Sequence, residues 1–112
     1  MSVKYIQTGD AVDYTPGANV SAGDVVVQGE LVGVAKLDIQ TGKLGALAVT
    51  GCFDFPKATG AGTAIAAGTR VYWDAAEQVA KADSEAGANK EIGKTVKAAA
   101  DADALVRVRL SQ

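Results

Sequence analysis

Histidine is absent from this 112-residue chain, cysteine occurs once, proline twice, and aromatic residues make up only 5%. The missing histidine removes the usual general base, the commonest zinc ligand and the ordinary physiological-pH switch together. Cys52 alone can form neither an internal disulfide nor a thiolate-built metal site, and its place in an apolar run reads as a small buried hydrophobe rather than a nucleophile. No apolar stretch approaches the roughly 18 residues of a membrane span, and the opening MSVKYIQTGD has no apolar leader core. The expectation is a chain made and folded in a cytoplasm, with no membrane partner. A large single-sign charge is missing too: 11 Lys and Arg stand against 13 Asp and Glu, a net charge of −2. With no basic block, nucleic-acid binding by counterion release has no cations to work with.

What remains is small and branched. Apolar residues are 48% of the chain, mostly Ala and Val, and 13 glycines punctuate it at short intervals. The length suits one domain with a modest core, whose stability is shared with partners. Val-rich runs too short for helices between glycine turns indicate an all-β fold, a small β-barrel or β-sandwich-like module. Residues 1–15 read as an extended, edge-like N-terminal arm ahead of the break Pro16-Gly17, and residues 16–112 as the single β domain. Strands are expected over 24–28 and 31–39, joined by the tight turn Gly29-Glu30. A long run, 44–55, is apolar on both faces and reads as one central strand. Residues 56–68, PKATGAGTAIAAG, have no period and read as a long mobile loop. A second hairpin joins 70–74 to 78–81, a polar turn covers 82–88, and 91–97 pairs with 105–110, Val106, Val108 and Leu110 facing inward and Arg107 and Arg109 outward. The alanines at 98–103 leave one place where a short helix competes.

Two seven-residue segments echo one another: Val20-Ser21-Ala22-Gly23-Asp24-Val25-Val26 and Ile65-Ala66-Ala67-Gly68-Thr69-Arg70-Val71. Both read as a glycine turn followed by re-entry into a strand, a match too short to establish a repeat. The segment from Gly87 to Thr95 resembles a Walker A phosphate loop but fails on spacing. Five residues precede its Gly-Lys-Thr instead of four, Ala88 stands where glycine should, and the chain continues as a strand. Asn19-Val20-Ser21 has the pattern of a glycosylation acceptor and reads as a turn. Asp83, Glu85, Asp101 and Asp103 lack the ligand count and the glycine of a calcium loop and read as solvated carboxylates. No catalytic residue, cofactor or metal is expected. Tyr72 and Trp73 must face opposite sides of a strand, one filling the core and the other reaching a rim or partner. For Tyr5 and Tyr14, docking on another surface and packing on the chain itself stay open.

Taken in order, residues 5–15 (YIQTGDAVDYT), 22–26 (AGDVV), 31–35 (LVGVA), 51–58 (GCFDFPKA), 67–74 (AGTRVYWD), 92–94 (IGK) and 106–110 (VRVRL) resemble a family of small phage and prophage proteins. The likeness spans nearly the whole chain and rests on the ordered set rather than on one motif. Members have been labelled predicted RecA/RadA-type phage recombinases, whereas the family's structural picture is that of a capsid decoration, or cement, protein. A recombinase needs a strand–Walker A–helix site, an acidic strand for magnesium, a basic DNA surface and a core about twice this length, and this sequence offers none of these. The resemblance implies a homotrimer on the outer surface of the virion capsid, assembled in the host cytoplasm, with the major capsid protein as partner. On that reading Val3, Tyr5, Ile6, Gln7, Asp10, Val12 and Tyr14 contact the capsid, and Pro56, Lys57, Tyr72 and Trp73, with the 56–68 loop, form the trimer interface. A glycan-binding surface module is a further alternative, disfavoured by the scarcity of aromatic platforms.

Overall fold

Alternating apolar and polar residues, cut by turns, produce nine strands among the residues described by the computed structural model, Val3 and 9–110. They are β1 (Ala11–Tyr14), β2 (Val25–Gln28), β3 (Leu31–Ala35), β4 (Gly45–Ala48), β5 (Gly51–Pro56), β6 (Arg70–Asp74), β7 (Val79–Lys81), β8 (Lys90–Thr95) and β9 (Leu105–Leu110). Four build one sheet in the order β1-β4-β3-β2 and five a second in the order β5-β9-β8-β6-β7. All pairings between these strands are antiparallel. The fold is therefore all-β and sandwich-like; of the two expected forms, the closed barrel is not adopted.

Phe55, Val71, Trp73, Ile92, Val106, Val108 and Leu110 are buried on the inner face of the five-stranded sheet, together with Ile65 and Ala99 from its loops. Phe55 bridges the two other large rings, 6.5 Å from Phe53 edge-on and 6.0 Å from Trp73. The four-stranded sheet has a thinner core of Ala35, Ile39 and Leu47, flanked by Val12, Tyr14, Val20 and Val26. Val34, with Val25 beside it, packs into the larger core and so joins the sheets. Lys90 adds an ion pair across the same boundary, 3.0 Å from Glu30.

The short echo in the sequence is one part of a structural repeat. Val20 and Ile39 exchange both backbone hydrogen bonds, as do Ile65 and Ala99. Gly23 N–H donates to Ala35 O while Ala35 N–H donates to Asp24 O; Gly68, Thr95 and Thr69 repeat that pair of bonds. The registers agree too: Val26 opposes Gly33 and Val71 opposes Gly93, while Ala35 opposes Leu47 and Thr95 opposes Val108. β1-β4-β3-β2 thus corresponds to β5-β9-β8-β6. β7 and a single 3-10 turn (Glu85–Gly87) are inserted where the first half has only the turn Gly29-Glu30.

Three expectations are corrected and one open alternative is decided. The run 44–55 is two strands in different sheets: Gly51, at φ +107°, turns the chain where most side chains would be strained, so β4 is interior and β5 an edge. Cys52, on the outer face of that edge strand, is exposed rather than buried. The 56–68 segment is pinned at Lys57 by a bridge to Ala80 and at Ile65 by the bridge to Ala99. No helix forms over 98–103; Asp103 N–H donates to Ala100 O, and the Asp103 carboxylate accepts from Ala100 N–H in return.

Gly33 lies against β4 so closely that an added Cβ would sit 2.8 Å from Leu47 Cβ and 3.3 Å from Ala48 O. Gly33→Ala is expected to cost about 1–3 kcal/mol by overpacking, seen as a lower urea midpoint at unchanged slope. An unchanged midpoint would show that β3 and β4 separate freely.

Candidate functional site

Two surfaces stand out. The first is an open groove of about 900 Å³ beside the four-stranded sheet, between the start of β1, the segment from Lys36 to Gln40 and β4. Leu37 and Leu44 line it at 77% and 72% exposure, a large apolar area for water to cover. Asp10 is at its wall, accepting from Thr50 Oγ1 at 3.2 Å and, through its carbonyl, from Val49 N–H. Asp38 accepts from Ala22 N–H at 2.7 Å. These carboxylates hold backbone and loops.

The second surface is the outer face of the five-stranded sheet. Cys52, Arg109, Lys94 and Arg70 form one row across β5, β9, β8 and β6, each opposite the next. Asp54 and Arg107 form the neighbouring row, Arg107 Nε at 3.0 Å and an Nη at 3.3 Å from the two carboxylate oxygens. Pro56 and Leu105 oppose each other at one end of the face, and Tyr72 opposes Glu91 at the other.

The expected contact residues divide. Tyr5, Ile6 and Gln7 lie outside the described residues; Val3 is exposed and Asp10 lines the groove. Val12 and Tyr14 belong to β1, an edge strand of the module, and pack half-buried on its thin core. Of the expected trimer contacts, Trp73 is 3% exposed in the main core and its indole N–H has no acceptor among the described residues, so it is an internal filler. Lys57 is also withdrawn. Its ammonium donates to Ala58 O (2.7 Å), Thr63 Oγ1 (3.2 Å) and Asp103 O (3.1 Å), and the 58–64 loop folds around it. Pro56 is exposed and Tyr72 half-buried, both on the outer face.

The Walker-like segment is a strand: Thr95 is buried in β8, its hydroxyl bonded to Ala66 O and Thr69 N–H. Asp83, Asp101 and Asp103 each accept from a nearby backbone N–H, and no metal-holding group of three or more His, Cys, Asp or Glu occurs among the described residues. Asn19 accepts from Thr41 N–H and Oγ1, serving as a turn brace.

The family model described as phage cement protein matches residues 6–110, both halves of the repeat included. The chain belongs to the phage cement protein family. No curated protein and no solved structure matches it. Membership implies a structural, capsid-stabilising role, binding to phage capsid proteins and a place at the virion's capsid surface.

The β6–β7 hairpin of this cement protein is held by charge. Asp74 accepts from Ala76 and Glu77 N–H at 3.0 and 3.1 Å, while Lys81 lies 2.9 Å from Asp74 and 2.7 Å from Glu77. The hydrogen bond from Lys81, then that from the Glu77 backbone, hold the Asp74 carboxyl below its ordinary pKa. Glu77 and Asp74 together raise that of Lys81. A depressed carboxylate stabilises the fold above its unfolded pKa, and this contribution is lost as pH falls through the folded value. The Lys81 contribution is present below its unfolded pKa and lost as pH rises through the folded one. Asp74→Asn should therefore lower the urea midpoint at neutral pH and shrink the fall seen below about pH 4. An identical acid profile in the variant would remove Asp74 from the acid response.

Arg70, Lys94 and Arg109 become neighbours only through strand register, so sequence reasoning missed their row; the available signal was the alternation in Val106 to Leu110, which turns both arginines outward. Exposed Cys52 should react stoichiometrically with a disulfide reagent in native buffer. Reaction only after denaturant would return it to the core.

Proposed function

We propose that this protein binds the outer surface of the expanded phage head as a homotrimer and holds neighbouring capsid subunits together. The match to the cement family across residues 6–110 carries the reading. The mechanism is thermodynamic: a protein that binds only the expanded shell stabilises it by mass action, about 2.7 kcal/mol per site at a free concentration one hundred times Kd. A copy bridging two subunits makes their separation break several contacts at once.

The capsid contact is assigned to the N-terminal segment, with Val3, Tyr5, Ile6, Gln7 and Asp10 reaching the shell and Val12 and Tyr14 anchoring β1 to the module. β1, into which that segment leads, is an edge strand, and a sheet edge suits strand addition to a partner. The trimer contact is assigned to Pro56 and Tyr72. They lie toward opposite ends of the outer face, on β5 and β6, and a closed three-membered ring needs two different surfaces on each copy.

Purified protein should saturate expanded heads that lack it, leave unexpanded heads bare, and raise the temperature at which expanded heads break open. Removing residues 1–8 should leave a folded module that no longer saturates heads. ATP-dependent DNA association without head binding would support the recombination reading instead, and glycan capture without head binding the adhesive one.

A further inference from the structure

The two halves of the repeat differ most at one structurally equivalent row. In the first half the row is Ala11, Ala48, Val34 and Val25, each opposite the next. Ala48 and Val34 are buried, and Val34 and Val25 pack on the core of the second half. The same row in the second half is Cys52, Arg109, Lys94 and Arg70, in the same register. Arg109, Lys94 and Arg70 are all exposed. A face that one half uses for apolar packing is, in the other, three cations abreast.

Like charges directly opposite one another in a sheet destabilise it. At roughly 4.8 Å between strands the three cations lie within about 10 Å. Lys94 and Arg109 have no ion pair among the described residues, and Arg70 reaches only Glu91, at 3.7 Å. The chain as a whole carries −2, yet of Arg70, Lys94, Arg107 and Arg109 only Arg70 and Arg107 have an ion-pair partner among the described residues, Glu91 and Asp54. Such a row is relieved when carboxylates of another surface settle on it.

We infer that the Arg70–Lys94–Arg109 row is a docking face for a carboxylate-bearing protein surface, which in the cement reading, on which this rests, is the outer surface of the shell. Two features favour a protein over a nucleic acid: the row is short, and the same face carries apolar Val96, two residues from Lys94, and Leu105, further along β9, at 47% and 54% exposure. Leu105 and Arg107 share the outer side of β9, and Val96 N–H bonds Arg107 O. Arginine is enriched at protein-binding faces, and the apolar side chains on this face supply area such a contact can bury.

The test uses the full chain and expanded heads lacking it, with Lys94→Glu and Lys94→Gln as variants. Lys94→Glu should bind heads at least tenfold more weakly, Lys94→Gln should fall between it and the parent, and the parent's affinity should drop with salt more steeply than either. The free Lys94→Glu protein should melt at the same temperature as the parent or higher, because the repulsion is relieved; this separates lost binding from lost fold. Parent and variants binding heads equally at every salt concentration would overturn the docking face and leave the cement reading standing. A parent that ignores heads would bring down both. Two other results would also overturn it: sedimentation in which only the variants fall from trimer to monomer, assigning the row to a second copy, and duplex DNA retention that Lys94→Glu abolishes.

Discussion

The contact between β3 and β8 is the constraint on which the rest of this molecule depends. Val34 leaves its own sheet's thin core and, with Val25, packs among Phe55, Val71, Ile92 and Val108 of the other. The four-stranded sheet alone buries little beyond Ala35, Ile39 and Leu47. Each large side chain fully buried is worth about 1.5–3 kcal/mol, too little against the entropy of ordering four strands and their loops. The first half is therefore folded because it leans on the second, and everything it carries, the groove and β1 included, is held in place through that junction.

A repeated unit whose two copies pack unequally explains the distribution of chemistry. Equivalent turns keep equivalent hydrogen bonds, since buried backbone groups must be paired whatever the side chains do. Side chains were free to diverge. The row that meets the sister half is valine and alanine, and the row exposed among the described residues is lysine and arginine. The inserted β7 hairpin, absent from the first half, brings Ala80 beside Lys57 and so pins the loop that follows β5. Lys57 itself, buried at 5% with three neutral acceptors, organises that loop from within.

For a cement protein the consequence is a body with several distinct faces. The groove with Leu37 and Leu44, from the connection between β3 and β4, the edge strand β1 and the cationic outer face are distinct surfaces carried on or against the two hydrogen-bonded sheets. Bridging between capsid subunits asks for this: contacts on several sides whose relative positions are fixed, so that little ordering entropy is lost on binding.

Much of this was readable from residue order. The strand class, the hairpin from 70 to 81, the inward Val106, Val108 and Leu110, and the failure of the Walker-like loop follow from local alternation, turn chemistry and spacing, which depend on neighbours in sequence. The family resemblance rested instead on an ordered set of segments along the chain. What local rules missed needed partners far along the chain. Whether 44–55 is one strand or two depends on which sheet receives each end, and the answer moves Cys52 from core to surface. Which of Tyr72 and Trp73 turns inward depends on the face that Phe55 covers. That Lys57 is buried and that Arg70, Lys94 and Arg109 stand abreast depend on pairings of residues dozens of positions apart. Sequence by itself determined the kind of element, because that is set by side-chain type and period. The tertiary structure alone decided which faces are covered, because strand register and the packing of one half on the other choose which side of each strand meets water.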